Sequence, residues 1–352
     1  MAYTAYGVNA PEAVKLWSKA LAREVFSKTY IGKFIGKDSD SLIQEKADLK
    51  KDAGDRIRML LRMNLSGDGV LDDNLQDGNE ESLTTYTDDI EINQLRNAVL
   101  SKGKMSEQRI PFSVREEAKS ALADWYADRM DAAFFNQVCG NTAVTDTRYT
   151  GGNAVVATDS SSQFYSGATS NDEGQASGDT MALSLIDDLV AEAKTRSPLI
   201  RPIKYQGENL FAMFLHPYQL KALRKDAATA GGWADIQKAA IQGGQTKDNP
   251  IFTGAAGMYN NVILHESTRV TTGVNSSTGA AVANTRRAVL CGAQSAAIAF
   301  GQGHSFKKMK WHEETKDYGN QLGVSVSCIF GIKKCVWNSV DFSTLVLSTY
   351  AA

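Results

Sequence analysis

Cysteine and histidine are scarce in this chain, and what is missing narrows its chemistry. The four cysteines, Cys139, Cys291, Cys328 and Cys335, form no C-x-x-C pair. Neither a zinc ribbon nor a thioredoxin-like site is therefore expected, and buried reduced thiols in a cytosolic setting are. The four histidines, His216, His265, His304 and His312, are scattered. HEETK, 312–316, places Lys316 where a zinc-binding helix needs its second histidine. There is no G-x-S-x-G elbow. GKFIGKD, 32–38, is one residue short of a phosphate loop and lacks its Ser/Thr, and GQGHSF, 301–306, has two of the three glycines of a dinucleotide fingerprint. Asp73, Asp77 and Gly78 resemble a calcium loop, but Leu75 and Thr84 stand where its third and twelfth ligands belong. A net charge of −2 gives no global attraction to nucleic acid or a membrane surface. No run of 18 apolar residues suggests a spanning helix. MAYTAYGVNAPE has neither the basic start nor the apolar run of a signal peptide. No catalytic, cofactor or metal site is expected.

What is present begins with a helix. SVREEAKSALADWYADRMDAAFFNQVCG, Ser113–Gly140, carries Glu116 three residues after Ser113, the spacing at which both side chains satisfy first-turn N–H groups. Pro111 sets the start, and Gly140 can take the left-handed conformation that closes the last turn. The residues between span roughly 39 Å. Val114, Ala118, Ala121, Leu122, Trp125, Ala132 and Cys139 form one stripe, interrupted by Arg129 and Asn136. Met130, Phe134, Phe135 and Val138 add apolar side chains on other faces, so the helix should start on a surface and end in a core.

The stretch 40–110 is the most informative. In Arg56–Leu65 the residues Ile57, Met59, Leu61, Met63 and Leu65 share one side of a strand, with Arg56, Arg58, Leu60, Arg62 and Asn64 on the other. Ten residues reach about 34 Å. Gly67–Gly69 signals a turn, and Asp88–Leu100 is the return strand, with Ile90 and Ile92 alternating. Asp68, Asp72, Asp73, Asp77, Glu80, Glu81, Asp88, Asp89 and Glu91 give residues 68–91 a charge of −9. An isolated ribbon of this kind is marginal in water, so its apolar side needs a surface to lie on. That surface belongs either to its own core or to a neighbouring copy. The long polar loop favours an arm that packs on another subunit.

The N-terminal segment reads as a tail followed by a helix capped by Asn9 and started at Pro11. Val14, Trp17, Leu21 and Val25 are on one side; Lys15, Lys19, Arg23 and Lys28 are on the other. Residues 1–37 carry a charge of +4. A Ser/Gly-rich loop occupies 141–180. A helix follows, capped by Asp179 or Thr180, with Leu183, Ile186, Val190 and Ala193 buried. Next come a strand at 209–216, helices at 217–228 and 233–241, and a strand at 261–266. A strand and a strand or helix fill 285–301, and β-rich runs at 324–332 and 336–350 close the chain. The class is α+β, without βαβ rhythm or internal repeat.

In this order the chain resembles the major capsid proteins of tailed bacteriophages with the HK97-like fold, nearest the podovirus-type coat protein branch. AVKLWSKALAREV (13–25), GNEESLTTYTDDIEINQLRNAV (78–99), GKMSEQRIPFSVREEAKSALADWYADRMD (103–131), NNVILHES (260–267) and DYGNQLGVSVSCIFGIKKCVW (317–337) carry the resemblance. It implies an N-terminal arm at 1–40 and an extended loop at 41–105. A peripheral domain at 106–180 would hold the spine helix 113–139, an axial domain would occupy 181–315, and return strands 316–352. It implies a protein with no active site and no cofactor that assembles with itself, as hexamers and pentamers, into an icosahedral head enclosing double-stranded DNA without sequence specificity. Assembly would take place in the host cytoplasm and end in the virion, with portal, decoration and separate scaffolding proteins as further partners and no membrane. The inter-subunit contacts would be Ile57, Met59, Leu61, Met63 and the loop acids. Lys15, Trp17, Lys19 and Arg23 would act on the arm, and Ser113, Glu116, Trp125 and Arg129 would mark the spine. Two other readings remain at this point: an encapsulin-like compartment shell, and a soluble α+β hydrolase.

Overall fold

The long helix runs Val114–Val138 and ends as its sequence requires. Gly140, at φ +61°, donates its N–H to Gln137, and Asn141 donates to Asn136 at 3.0 Å, the paired bonds that close a helix through a left-handed glycine. The start differs from expectation. Ser113 is extended at the cap position, but its hydroxyl makes no capping bond; Glu116 and Glu117 supply first-turn negative charge instead. The buried stripe is also turned by one residue. It runs through Ala118, Leu122, Tyr126, Met130 and Ala133, while Ala121 is exposed and Trp125 half-buried. Tyr126 takes the interior because its hydroxyl donates to Leu95 at 2.8 Å, with Val326 O at 3.1 Å, which removes the penalty for burying it. From Ala133 onward every residue to Gly140 is buried.

The structure, a computed structural model, describes residues 11–46, 54–62, 65, 67–72, 74–205, 207–225, 257–305 and 308–352. Asn9, Met63, Asp73 and the expected helix at 233–241 lie outside the described residues, as do the side chains of Val14 and Lys15.

Two sheets organise the chain. A six-stranded sheet runs in the order Ile35–Gly36, Ile43–Lys46, Ala296–Phe300, Gln321–Lys334, Lys310–Lys316, with Asn93–Leu100 also paired to Gln321–Lys334. An eight-stranded sheet runs Gln163–Tyr165, Thr344–Tyr350, Ala281–Cys291, Glu208–Leu215, Val262–Glu266, Gly257–Tyr259, with Thr272–Val274 and Ile203–Tyr205 added at its side. Strand Gln321–Lys334 alternates cleanly. Val324, Val326, Cys328, Phe330 and Ile332 are buried toward the long helix, and Gly323, Ser325 and Ser327 face outward.

These pairings cross the expected segments. Residues 43–46 and 93–100, inside the extended loop expected at 41–105, are strands of the six-stranded sheet. Strands 296–300 and 310–316, inside the expected axial segment 181–315, pair with 321–334. Thr344–Tyr350 leaves the other return strands and joins the eight-stranded sheet. Apolar spacing marks a strand but not the partner it will find, so linear division of the chain misses these crossings.

One core lies between the long helix, the N-terminal helix Pro11–Lys28 and the six-stranded sheet, with Phe134, Phe135 and Phe214 packed edge to face. A second buries helices Leu183–Thr195 and Pro217–Lys225 on the eight-stranded sheet. The first of these begins after Ala182 without a side-chain cap; Asp179 instead accepts the N–H of Ala176 at 2.8 Å. The Ser/Gly-rich loop 141–180 is tied down by Asp172, which is buried and paired with Arg287 at 2.7 Å. Arg287 also donates to the carbonyls of Cys139 and Gly140 at 3.2 and 2.8 Å, placing a cation just past the C-terminal end of the long helix.

Candidate assembly surfaces

The ribbon consists of Arg56–Arg62 and Thr85–Glu91, antiparallel, with Ile57 opposite Ile90 and Met59 opposite Asp88. The expected return strand Asp88–Leu100 splits at Ile92: its first part pairs with the ribbon and its second with Gln321–Lys334. The ribbon's apolar side is not free. Ile57, Met59, Ile90 and Ile92 form a buried cluster with Ala297, Ala299 and Cys335, flanked by Ile329, Trp337 and Phe342. Ile57 and Met59 are thus buried in a core of their own subunit, the alternative in which the ribbon's apolar side lies on its own chain. Leu61 is half-buried.

Three of the nine acids are neutralised along the stem. Asp88 pairs with Lys333, Asp89 with Nε and Nη2 of Arg58 at 2.8 and 2.9 Å, and Glu91 with Arg56. The Arg58 guanidinium holds the Asp89 carboxyl below its ordinary range. Glu81 accepts the N–H of Gly67 at 2.6 Å and Glu80 that of Gly78 at 2.8 Å, both local. Asp68, Asp72 and Asp77 make no ion pair among the described residues and are exposed. Among them project leucines: Leu71 is 80% exposed and Leu75 79%, with Leu65 and Leu83 also out in solvent, while Leu60 is exposed on the outer side of strand Arg56–Arg62. The ribbon is therefore divided: an apolar root inside its own subunit and a loop of leucines and acids without cover.

The N-terminal helix is likewise held by its own chain. Trp17 stacks on Trp311 with centroids 5.8 Å apart, and the Arg115 guanidinium lies 5.5 Å from its ring. Arg115 pairs with buried Glu313, which accepts from Trp311 Nε1 at 2.8 Å. Lys28 bridges Glu24 and Asp124 at 2.8 and 2.9 Å. The N–H groups of Tyr30 and Ile31 donate to Asp131 at 2.9 and 3.0 Å; burial raises that carboxyl to about 6. Trp17, expected as a contact of the arm, is half-buried against its own sheet, whereas Lys19 and Arg23 are exposed. On the long helix, Glu116 is exposed, and Arg129 sits 3.8 Å over the ring of Tyr149 and 5.3 Å from Trp125.

A further surface escaped sequence reasoning. On the outward face of the six-stranded sheet, Ser327 lies between Arg96 and Lys310, Ser325 between Ala98 and His312, and Gly323 between Leu100 and Glu314. Small central residues between longer flanks make a trough with a cavity of about 120 Å³. Arg96, Lys310 and Lys316 against Glu314 give it two net positive charges. No helix among the described residues is long and apolar enough to cross a membrane, and none of them group three metal-binding side chains.

With this geometry in hand, likeness to known proteins is specific. The sequence pattern of the family described as phage capsid protein matches residues 5–352. The chain is 28% identical over 368 residues to the major capsid protein of Pseudomonas phage KPP25, covering 96% of this chain and 93% of that protein. Among solved structures, the capsid of Ralstonia phage GP4 superposes with a TM-score of 0.79 at 32% identity, covering 100% of this chain and 99% of that one. The Cyanophage Pam1 capsid shares the fold at a TM-score of 0.73 and 19% identity, over 100% of this chain and 95% of that one. The chain belongs to the phage capsid protein family and is a major capsid protein with the HK97-like fold.

Proposed function

We propose that copies of this protein close the head shell by laying the ribbon loop of one copy on the outward sheet face of the next, and that the shell so formed packages double-stranded DNA without reading its sequence. Hexamers and pentamers of this chain are the building units. They assemble in the host cytoplasm and end in the virion, with separate scaffolding, portal and decoration proteins as partners. The chain acts through these contacts and not as an enzyme.

One observation carries this reading: four exposed leucines, Leu65, Leu71, Leu75 and Leu83, stand in the loop of a ribbon whose root is already buried. Each leucine covered on assembly contributes roughly 1.5–3 kcal/mol. The acids Asp68, Asp72 and Asp77, without an ion pair among the described residues, meet a trough of opposite charge, which sets register and rate more than affinity. A net charge of −2 suits a container that holds DNA without gripping it.

The test replaces residues 65–84 by a short Gly/Ser turn, which spares Asp88 and Ile90 in the root. The expected product is a folded subunit that sediments as small species and shows no closed shells by electron microscopy. Shells closing as in the unaltered protein would overturn the assignment of the loop.

A further inference from the structure

We infer that the ribbon's root is a rigid fixture of its own subunit, so that the direction of the ribbon is set before assembly and adjustment to different neighbours takes place beyond Arg62 and Thr85. This rests on the reading that the loop meets another copy. It adds where the arm does not bend.

Four independent fastenings converge on the root. The N–H of Ile92 donates to Asp55 at 2.8 Å and ties the two strands together at their base. Asn153 then acts as a substitute strand. Its Oδ1 accepts from the N–H of Glu91 at 2.9 Å, and its Nδ2 donates to the carbonyls of Glu91 at 2.9 Å and Ile332 at 3.3 Å. Asn153 is itself fixed, because its carbonyl accepts from Thr150 Oγ1 at 2.7 Å and from Gln137 Nε2 at 3.0 Å. Gly331 brings the backbones together: a Cβ there would stand 2.0 Å from the carbonyl oxygen of Glu91. Lys333 pairs with Asp88 and donates to the carbonyl of Asp89 at 2.9 Å, while the N–H of Val336 donates to Asp88 at 3.2 Å. Beneath these bonds lies the cluster of Ile57, Met59, Ile90 and Ile92.

The loop is built differently. Gly67 bonds Glu81, Gly78 bonds Glu80, Asn74 bonds Leu71 and Asn79 bonds Gln76, all within the loop. Rings of five and six copies present neighbours at unequal angles. A root fastened to the sheet and packed underneath transmits the sheet's orientation, so the difference falls on the locally bonded loop.

Hydrogen exchange by mass spectrometry on full-length free subunits and on assembled shells tests this. Amides of Ile57–Leu61 and Thr87–Ile92 should be slow in both states and change by less than about threefold, while loop amides slow by about tenfold or more on assembly. Gly331→Ala should keep the subunit folded, speed root exchange by about tenfold or more, and abolish closed shells of normal diameter. If that variant does not fold, Asn153→Ala, which removes bonds without adding volume, should show the same change in a milder form. Root amides that exchange as fast as the loop in free subunits and slow only on assembly would show a hinge and overturn the inference. So would normal shells from a variant whose root exchange has risen. Shells closing after replacement of residues 65–84 would instead defeat the proposed function and leave the root rates standing.

Discussion

The root and the loop of one ribbon are opposite answers to the same problem. At the root, Ile90 is fully buried and Asp88 is paired; at the loop, Leu75 is 79% exposed and Asp77 makes no ion pair among the described residues. Alternating apolar residues in a strand demand cover, but they do not say whose. Here the subunit covers the first half itself with Ala297, Ala299, Trp337 and Phe342, and the leucines of the second half stand exposed on the single subunit. On the proposed reading, subunit stability and shell assembly draw on different residues of one hairpin.

The contrast can be broken most severely from beneath. Lys334 and Asp341 form a buried pair at 2.7 Å at the base of the hairpin that carries Trp337 toward the root. Lys334→Met leaves the carboxylate unpaired in the interior and should cost about 3–5 kcal/mol in denaturant unfolding, with assembly lost as a consequence of instability. Ile90→Ala should cost about 2–5 kcal/mol by emptying the root cluster.

A smaller effect comes from pH. Burial lowers His265, set against Phe34 and Phe214, to about 4. Its folded value lies below the ordinary 6.5, so the unfolded chain binds the proton first. Stability is intact above pH 6.5 and falls as pH drops toward 4, by up to about 3 kcal/mol. Asp131, raised to about 6, acts in the opposite sense, gaining stability as pH falls from 6 toward 3.8. Thermal unfolding of His265→Phe across this range should show a flatter fall than the unaltered chain. The smallest effect on the subunit, within about 0.5 kcal/mol, is expected for Leu75→Ala, which should nevertheless weaken shells in a dissociation assay. A large loss of subunit stability at Leu75, or none at Ile90, would erase the distinction between loop and root.

Much of this was legible in the residues. The long helix, its left-handed glycine close, the first ribbon strand and the buried strand before His216 all follow from spacing and caps. What escaped shares one cause. Tyr126 displaced Trp125 from the interior because two carbonyls from other segments satisfy its hydroxyl. Ile92 divides one apparent strand because its two halves find different partners. Asn153 sits in a Gly-rich stretch with no pattern around it, yet it bonds the ribbon to a strand 179 residues further on. Periodicity records which side of an element is apolar; it carries nothing about contacts between distant segments, and both the root and the trough are made of those.

A reconstruction of the assembled shell at side-chain resolution addresses the division most directly. The expected result places Leu71, Leu75 and Leu83 within about 4 Å of another copy while Ile57 and Ile90 touch only their own chain. Leucines left in solvent in the closed shell, or root isoleucines covered by a neighbour, would contradict it.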